Sequence, residues 1–175
     1  MPPTPFEIRL SDQQATESLG GALARSFPGA VAGALERSAA VHLHGELGAG
    51  KTTCVRGLLR ALGVAGPVRS PTYTLIEAYV LGPLTCIHID LFRLRVPVEI
   101  DDLGLRDYMA PGCLFLIEWP EKGAAALPAA DLDLYLSHAG NERSARLCAA
   151  TALGQGWLAN LVADTSLNLY VSNLT

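Results

Sequence analysis

The sequence predicts an α/β protein: a sheet with helices on both faces and antiparallel strand additions. Three observations carry that prediction. The short run Val41-His42-Leu43-His44, a glycine-rich loop and the periodic stretch Thr53 to Leu62 make a strand–loop–helix unit. Cys113-Leu114-Phe115-Leu116-Ile117 is apolar without interruption, as a strand covered on both faces would be. Thr74 to Val80 and Leu84 to Ile89 are strand-like runs linked by the tight turn Gly82-Pro83, which predicts an antiparallel pair.

The remaining elements follow in chain order. Glu7 to Leu10 reads as a first strand. Ser11 with Gln14 forms a capping box, and Ala15, Leu19, Leu23 and Phe27 continue a helical stripe until Pro28-Gly29 ends it. In the next helix Val55, Leu58, Leu59 and Leu62 fall at helical spacing and Gly63 stops them. Gly66-Pro67 marks a break, and Pro97 opens a short helix to about Leu103. Leu132 to Ser137 and Ser144 to Ala150 are further strands. No repeat or linker divides the chain, so residues 1–160 are expected to form one domain. Residues 161–175 are expected to be a frayed C-terminal extension; the apolar-Asp-Thr-Ser run at Leu161–Ser166 is too short to carry meaning.

Composition narrows the function classes. A chain of 175 residues, half of them apolar, can bury a respectable core. A net charge of −4 argues against broad, charge-driven nucleic-acid binding. The start, Met1-Pro2-Pro3-Thr4-Pro5-Phe6-Glu7, has neither the basic nor the apolar part of a secretory signal, and no apolar run approaches membrane-spanning length. Cys54, Cys86, Cys113 and Cys148 have no paired spacing and read as reduced thiols. A soluble cytoplasmic protein with no membrane partner is expected.

The chemistry is concentrated in Gly45-Glu46-Leu47-Gly48-Ala49-Gly50-Lys51-Thr52. Such a loop turns successive backbone N–H groups inward on a phosphate chain, Lys51 reaches the terminal phosphates and the Thr52 hydroxyl is placed to ligate Mg²⁺. The start of the following helix adds partial positive charge where the anion sits. Only two of the thirteen basic residues are lysines, Lys51 and Lys122. The loop therefore keeps a compact point charge in a chain that otherwise uses arginine, as a tight backbone cradle requires. Glu46 to Thr53 are accordingly candidate nucleotide-binding residues in a P-loop NTPase-like fold.

Hydrolysis needs carboxylates as well, and in open sheets these stand at the carboxyl ends of strands. Two apolar runs end in an acid: Cys86-Ile87-His88-Ile89-Asp90 and Leu114-Phe115-Leu116-Ile117-Glu118. Acids also end strands as solvated caps, but beside a phosphate loop at least one should act. His88, alternating with apolar neighbours, reads as a satisfied, half-buried histidine rather than a base. Ser70-Pro71-Thr72-Tyr73-Thr74 lies where P-loop proteins carry a switch segment, although its residues alone favour an ordinary Ser-Pro turn. Asp101-Asp102-Leu103-Gly104 fits the loose D-x-x-G pattern but follows a helical signal. No Asn-Lys-x-Asp is present to read guanine, which leaves adenine by elimination.

In this order the blocks resemble the small bacterial ATPase family of tRNA threonylcarbamoyladenosine biosynthesis, TsaE (formerly YjeE), from about Phe6 to Leu153. The resemblance is carried by Gly45–Thr53, Ser70-Pro71-Thr72-Tyr73, His88-Ile89-Asp90-Leu91-Phe92-Arg93-Leu94, Leu103-Gly104-Leu105 with Tyr108, and Ile117-Glu118-Trp119-Pro120-Glu121. It implies an ATP- and Mg²⁺-dependent ATPase that serves the TsaB–TsaD tRNA-modifying complex and touches tRNA only indirectly. It further implies that Lys51, Asp90 and Glu118 are catalytic, that Thr52, Asp90 and Glu118 lie at the metal, that Thr72 lies in a switch segment, and that Trp119 stands beside the nucleotide. Arg143 and Arg146 read as solvated strand-edge arginines. Two other readings are a small-molecule kinase, against which the lack of any arginine between Asp107 and Glu142 counts, and a non-catalytic nucleotide sensor.

Overall fold

Uninterrupted apolar runs become the middle of the sheet because only there are both faces covered. The computed structural model describes residues 5–30, 35–96, 100 and 103–169. Its elements are β1 (Phe6–Leu10), α1 (Gln13–Ser26), β2 (Ala39–His44), α2 (Lys51–Ala61), β3 (Ile76–Leu81), β4 (Leu84–Asp90), β5 (Cys113–Glu118), β6 (Leu132–Ala139), β7 (Glu142–Ala149) and α3 (Ala152–Ala163). Seven strands form one sheet in the order β1-β7-β6-β2-β5-β4-β3. The inner strands β6, β2, β5 and β4 are parallel, and every residue of β5 is buried. Antiparallel strands close both margins: β3 beside β4, and β7 then β1 beside β6. The Gly82-Pro83 turn does join an antiparallel pair, with Leu81 opposite Leu84.

The α/β class and its antiparallel additions are as the sequence predicts, but the helices are distributed differently. Buried residues of α1, α2 and α3 belong to one cluster with the strand side chains Val41, Leu43, Leu114, Leu116, Leu132 and Leu134. The other face, Ala40, Ile87, Ile89, Phe115 and Ile117, is covered by Leu91, Leu94, Ile100, Leu105 and Leu127 from loops and 3₁₀ turns. Among the described residues, then, all three α-helices lie on one face. Among the described residues, the segments between β4, β5 and β6 form short 3₁₀ turns and loops, whose apolar side chains bury that face. The helix predicted from Pro97 to Leu103 lies largely outside the described residues.

Three local readings are corrected. Asp12, not Ser11, caps α1: its carboxylate accepts the Ala15 N–H at 2.7 Å. Strand β7 begins at Glu142, two residues before the expected Ser144, and the turn ahead of it is confined to Gly140-Asn141. Helix α3 carries the chain past residue 161. Leu161 and Leu167 are buried in the core, and Asp164 pairs with Arg25 at 3.0 Å, so the described part of the expected extension packs against α1. Trp157 anchors α3, fully buried against Phe27 and donating its indole N–H to the Leu23 carbonyl at 2.9 Å. Helices α1 and α2 approach so closely that a methyl group on Gly57 would lie 2.0 Å from the Glu17 carbonyl oxygen.

Asp131 ties the sheet together just before β6. Its backbone N–H donates to the Ala40 carbonyl at 2.8 Å, and its carbonyl accepts the Ala150 N–H at 2.9 Å. Its carboxylate accepts the Ala40 N–H at 3.0 Å, the Arg37 guanidinium and the Thr151 hydroxyl. Burial works to raise its pKa, but these donors outweigh that and hold it below the ordinary carboxylate value. The four cysteines are unpaired, and burial pushes the Cys54 and Cys86 thiols up to about 12.

Candidate functional site

The loop between β2 and α2 is shaped by close approach. A methyl group on Gly45 would lie 2.2 Å from the Leu136 carbonyl oxygen, and Gly45 has φ +140°, so only glycine lets the loop leave β2 here. Ala49 turns its methyl into the core, and Gly50 opens α2 in the left-handed region. Lys51 is 5 % exposed and folds back on the loop, donating to the Gly45 carbonyl at 2.6 Å and the Glu46 carbonyl at 2.9 Å. Its ammonium also sits 3.9 Å from the centre of the Trp119 ring. Burial lowers the Lys51 pKa, and the nearby carboxylates of Glu118, Asp90 and Glu121 oppose that shift.

Asp90 and Glu118 end neighbouring parallel strands and are partners in register, so strand pairing sets them side by side. Each is buried, at 4 % and 2 % exposure. The Thr52 hydroxyl donates to both Glu118 oxygens, at 2.9 and 3.1 Å, and His88 Nε2 lies 2.9 Å from Glu118 Oε1. Asp90 accepts the Ser70 hydroxyl, the Thr72 hydroxyl at 3.3 Å and the Phe92 N–H at 2.9 Å. The Ser70–Thr74 stretch is therefore no free turn. Leu75, at φ +63°, donates its N–H to Pro71 and accepts the Asp90 N–H at 3.0 Å, which clamps the stretch onto the end of β4.

Trp119 follows Glu118 directly and has φ +60°, a conformation that costs a non-glycine residue about 1–3 kcal/mol. That backbone turn lays the indole over Lys51 and against Phe92, with ring centres 5.2 Å apart. Lys122 reaches back to the Phe92 carbonyl and holds the corner closed.

These groups share one cavity of about 330 Å³. Its walls bring together Leu47, Gly48, Gly50, Lys51, Thr52 and Thr53 from the loop, with Thr72, Asp90, Glu118 and Trp119 opposite. Glu46 and Ala49 do not line it: Glu46 is exposed and contributes its carbonyl to Lys51, and Ala49 is buried in the core. Ser70, Phe92 and Arg143 line the cavity too. Arg143 is the largest departure from the sequence reading, which leaves it solvated on a strand edge. The β6–β7 hairpin instead carries it over Gly50, where its Nη1 lies 3.4 Å from the Thr16 hydroxyl. No local signal marks it, because its place depends on β7 pairing two strands away from the loop. His88 is likewise fully buried rather than half-buried, and its Nδ1 has no hydrogen-bond partner.

The arrangement combines an anion cradle with a buried ammonium and a set of hard oxygen donors. Thr52, Asp90 and Glu118 offer hydroxyl and carboxylate oxygens, and the neighbouring His88 nitrogen is already engaged with Glu118. That donor chemistry fits Mg²⁺.

Comparison with known proteins identifies the family. Residues 10–146 match the family profile described as "Threonylcarbamoyl adenosine biosynthesis protein TsaE". A "tRNA threonylcarbamoyladenosine biosynthesis protein TsaE" of Haemophilus influenzae is 44 % identical over 120 residues, covering 69 % of this chain and 76 % of that one. One of the same description from Bacillus subtilis is 38 % identical over 112 residues, covering 64 % and 68 % of the two chains. The crystal structure of YdiB from Bacillus subtilis superposes with a TM-score of 0.71 at 25 % identity, covering 91 % of this chain and 95 % of that one. A profile match over residues 10–146, with relatives this similar, shows that the chain belongs to the TsaE family of threonylcarbamoyl adenosine biosynthesis proteins.

Proposed function

We propose that this chain binds and hydrolyses Mg·ATP as an accessory protein of tRNA N6-threonylcarbamoyladenosine formation, acting with a TsaB–TsaD-type complex in the cytoplasm. The observation that carries the reading is the convergence of Lys51, Thr52, Asp90 and Glu118 on one cavity at the mouth of the glycine loop. Among the described residues no helix is long and apolar enough to cross a membrane, and no membrane partner is invoked. The pathway comes from the family, with the tRNA reached through the partner complex rather than by this acidic chain directly.

The chain's own residues have definite tasks in this reading. The loop amides and Lys51 hold the phosphates; Lys51 exchanges its two carbonyl partners for phosphate oxygens. Thr52, with Asp90 and Glu118, supplies the oxygen ligands for Mg²⁺, which when bound neutralises charge on the β- and γ-phosphates. A carboxylate of the same pair orders a water molecule and accepts its proton as the water oxygen bonds to the γ-phosphorus and the bond to the ADP oxygen breaks. Trp119 shields Lys51 from solvent and keeps its charge directed into the cavity. Thr72 and Ser70, bonded to Asp90, form the segment that responds to the γ-phosphate.

Phosphate release from Mg·ATP by the purified chain, alone and with TsaB–TsaD, tests the proposal. Slow turnover that rises with the partners and vanishes in Glu118→Ala is the expected result. Phosphate transfer only when a small metabolite is supplied would replace the ATPase by a kinase. Binding without any turnover, left intact in Glu118→Gln, would mark a nucleotide sensor.

A further inference from the structure

On the sheet face opposite the helices, just behind the glycine loop, two histidines and an aspartate meet. His42 and His44 alternate along β2 and so share a face with Ala40, and Asp133 is the register partner of His42 on β6. One donor atom from each of the three lies within 4.8 Å of the other two, and all three side chains are half-buried. We propose that His42, His44 and Asp133 form a binding site for a divalent transition-metal ion of the zinc class, separate from the Mg·ATP cavity.

The surroundings of the imidazoles support a metal site beyond their proximity. Histidines that ligate a metal through one nitrogen usually give the N–H of the other to a carbonyl or carboxylate. His42 Nε2 lies 2.9 Å from the Pro128 carbonyl oxygen; donating there leaves the Nδ1 lone pair for an ion. His44 has its Nε2 2.8 Å from Asp133 Oδ1 and its Nδ1 3.9 Å from Glu121 Oε2. An ion between His44 and Asp133 replaces the proton they share, and Nδ1–H then faces the Glu121 carboxylate. Tyr135 stacks on the His44 ring with centres 4.4 Å apart and fixes its plane.

Two imidazoles and one carboxylate suit zinc, which takes nitrogen and oxygen ligands at about 2.0–2.2 Å and leaves a fourth position to water. Hard-cation sites such as that of Asp90 and Glu118 are built from oxygen alone. The placement also gives the ion a consequence. His44 directly precedes Gly45, so a metal held here restrains the strand end from which the phosphate loop departs.

Titration of the untagged, metal-free chain with Zn²⁺ in excess Mg²⁺ tests the proposal, with Co²⁺ absorption in the visible as an independent report of the ligand set. One Zn²⁺ per chain is expected, with a rise in melting temperature on binding. His44→Gln, which keeps a hydrogen-bond donor toward Asp133, and Asp133→Asn are each expected to weaken Zn²⁺ binding by at least about tenfold. Their metal-free melting curves should change little, and Glu118→Gln should leave the stoichiometry untouched. Failure of the parent chain to bind Zn²⁺, or unchanged affinity in both His44→Gln and Asp133→Asn, would overturn the site. In that case His44 and Asp133 are simply a hydrogen-bonded pair.

Discussion

Glu118 and Asp131 are both buried in the sheet, at 2 % and 0 % exposure, yet they are held in opposite ways. Asp131 receives a guanidinium, a backbone N–H and a hydroxyl, and its pKa is depressed in consequence. Glu118 receives the Thr52 hydroxyl and an imidazole nitrogen, and its neighbour Asp90 receives two hydroxyls and one backbone N–H. Among the described residues no lysine or arginine hydrogen-bonds to Asp90 or Glu118. A carboxylate already saturated by a cation and amides has nothing further to bind, and its role is to hold strands together. Carboxylates held by hydroxyls can exchange those partners for a cation at little cost, as the proposed function requires of Asp90 and Glu118.

The largest effect is expected from Glu118→Gln. The change keeps shape and most hydrogen bonds, so the fold should persist while ATP turnover falls by about 100-fold or more. Phosphate release beside a thermal melt checks both halves; turnover within a few-fold of the parent would place Glu118 with Asp131 as a structural acid. Asp131→Ala should do the reverse. Losing the carboxylate strands the Ala40 N–H and the Thr151 hydroxyl, so stability should fall by about 2–3 kcal/mol in urea unfolding. ATP affinity of the folded protein should be unchanged.

Acid titration sharpens the contrast further. The unfolded Asp131 carboxyl titrates near about 3.9, and its folded value lies lower. Its contribution is therefore full above about pH 4 and is lost as pH falls through the folded value. Stability followed by denaturant midpoint should decline in that acid range, and Asp131→Asn should flatten the decline. The smallest effect is expected at Trp119→Ala, which removes the aromatic face from the Lys51 ammonium without touching either acid. ATP affinity should weaken by about 3- to 10-fold, measured by calorimetry, in line with a partly desolvated cation–π contact.

Much of the site can be read from the chain because its parts are contiguous. A phosphate loop needs its glycines, lysine and threonine within eight residues, and an acid at a strand end announces itself by the apolar run before it. Thr72 is legible only through the family blocks, since a Ser-Pro turn has the same local form. Helix α3 escapes periodicity because Gly154 and Gly156 interrupt it and apolar residues lie all round it. Residues 161–169 consequently look like an extension although Leu161 and Leu167 are core.

The strand–loop–helix unit, the antiparallel β3–β4 hairpin, the family and the two acids are all written in short stretches of local pattern. Which residues face them depends on contacts between distant segments. The register of β4 against β5 sets Asp90 beside Glu118 and His88 under it, across about thirty residues of intervening chain. The path of β7 brings Arg143 over Gly50, and the β2–β6 register gathers His42, His44 and Asp133. The physical reason is common to all three. Strand pairing is a contact between distant segments, chosen by how the whole sheet buries its apolar faces, and no local spacing records that choice.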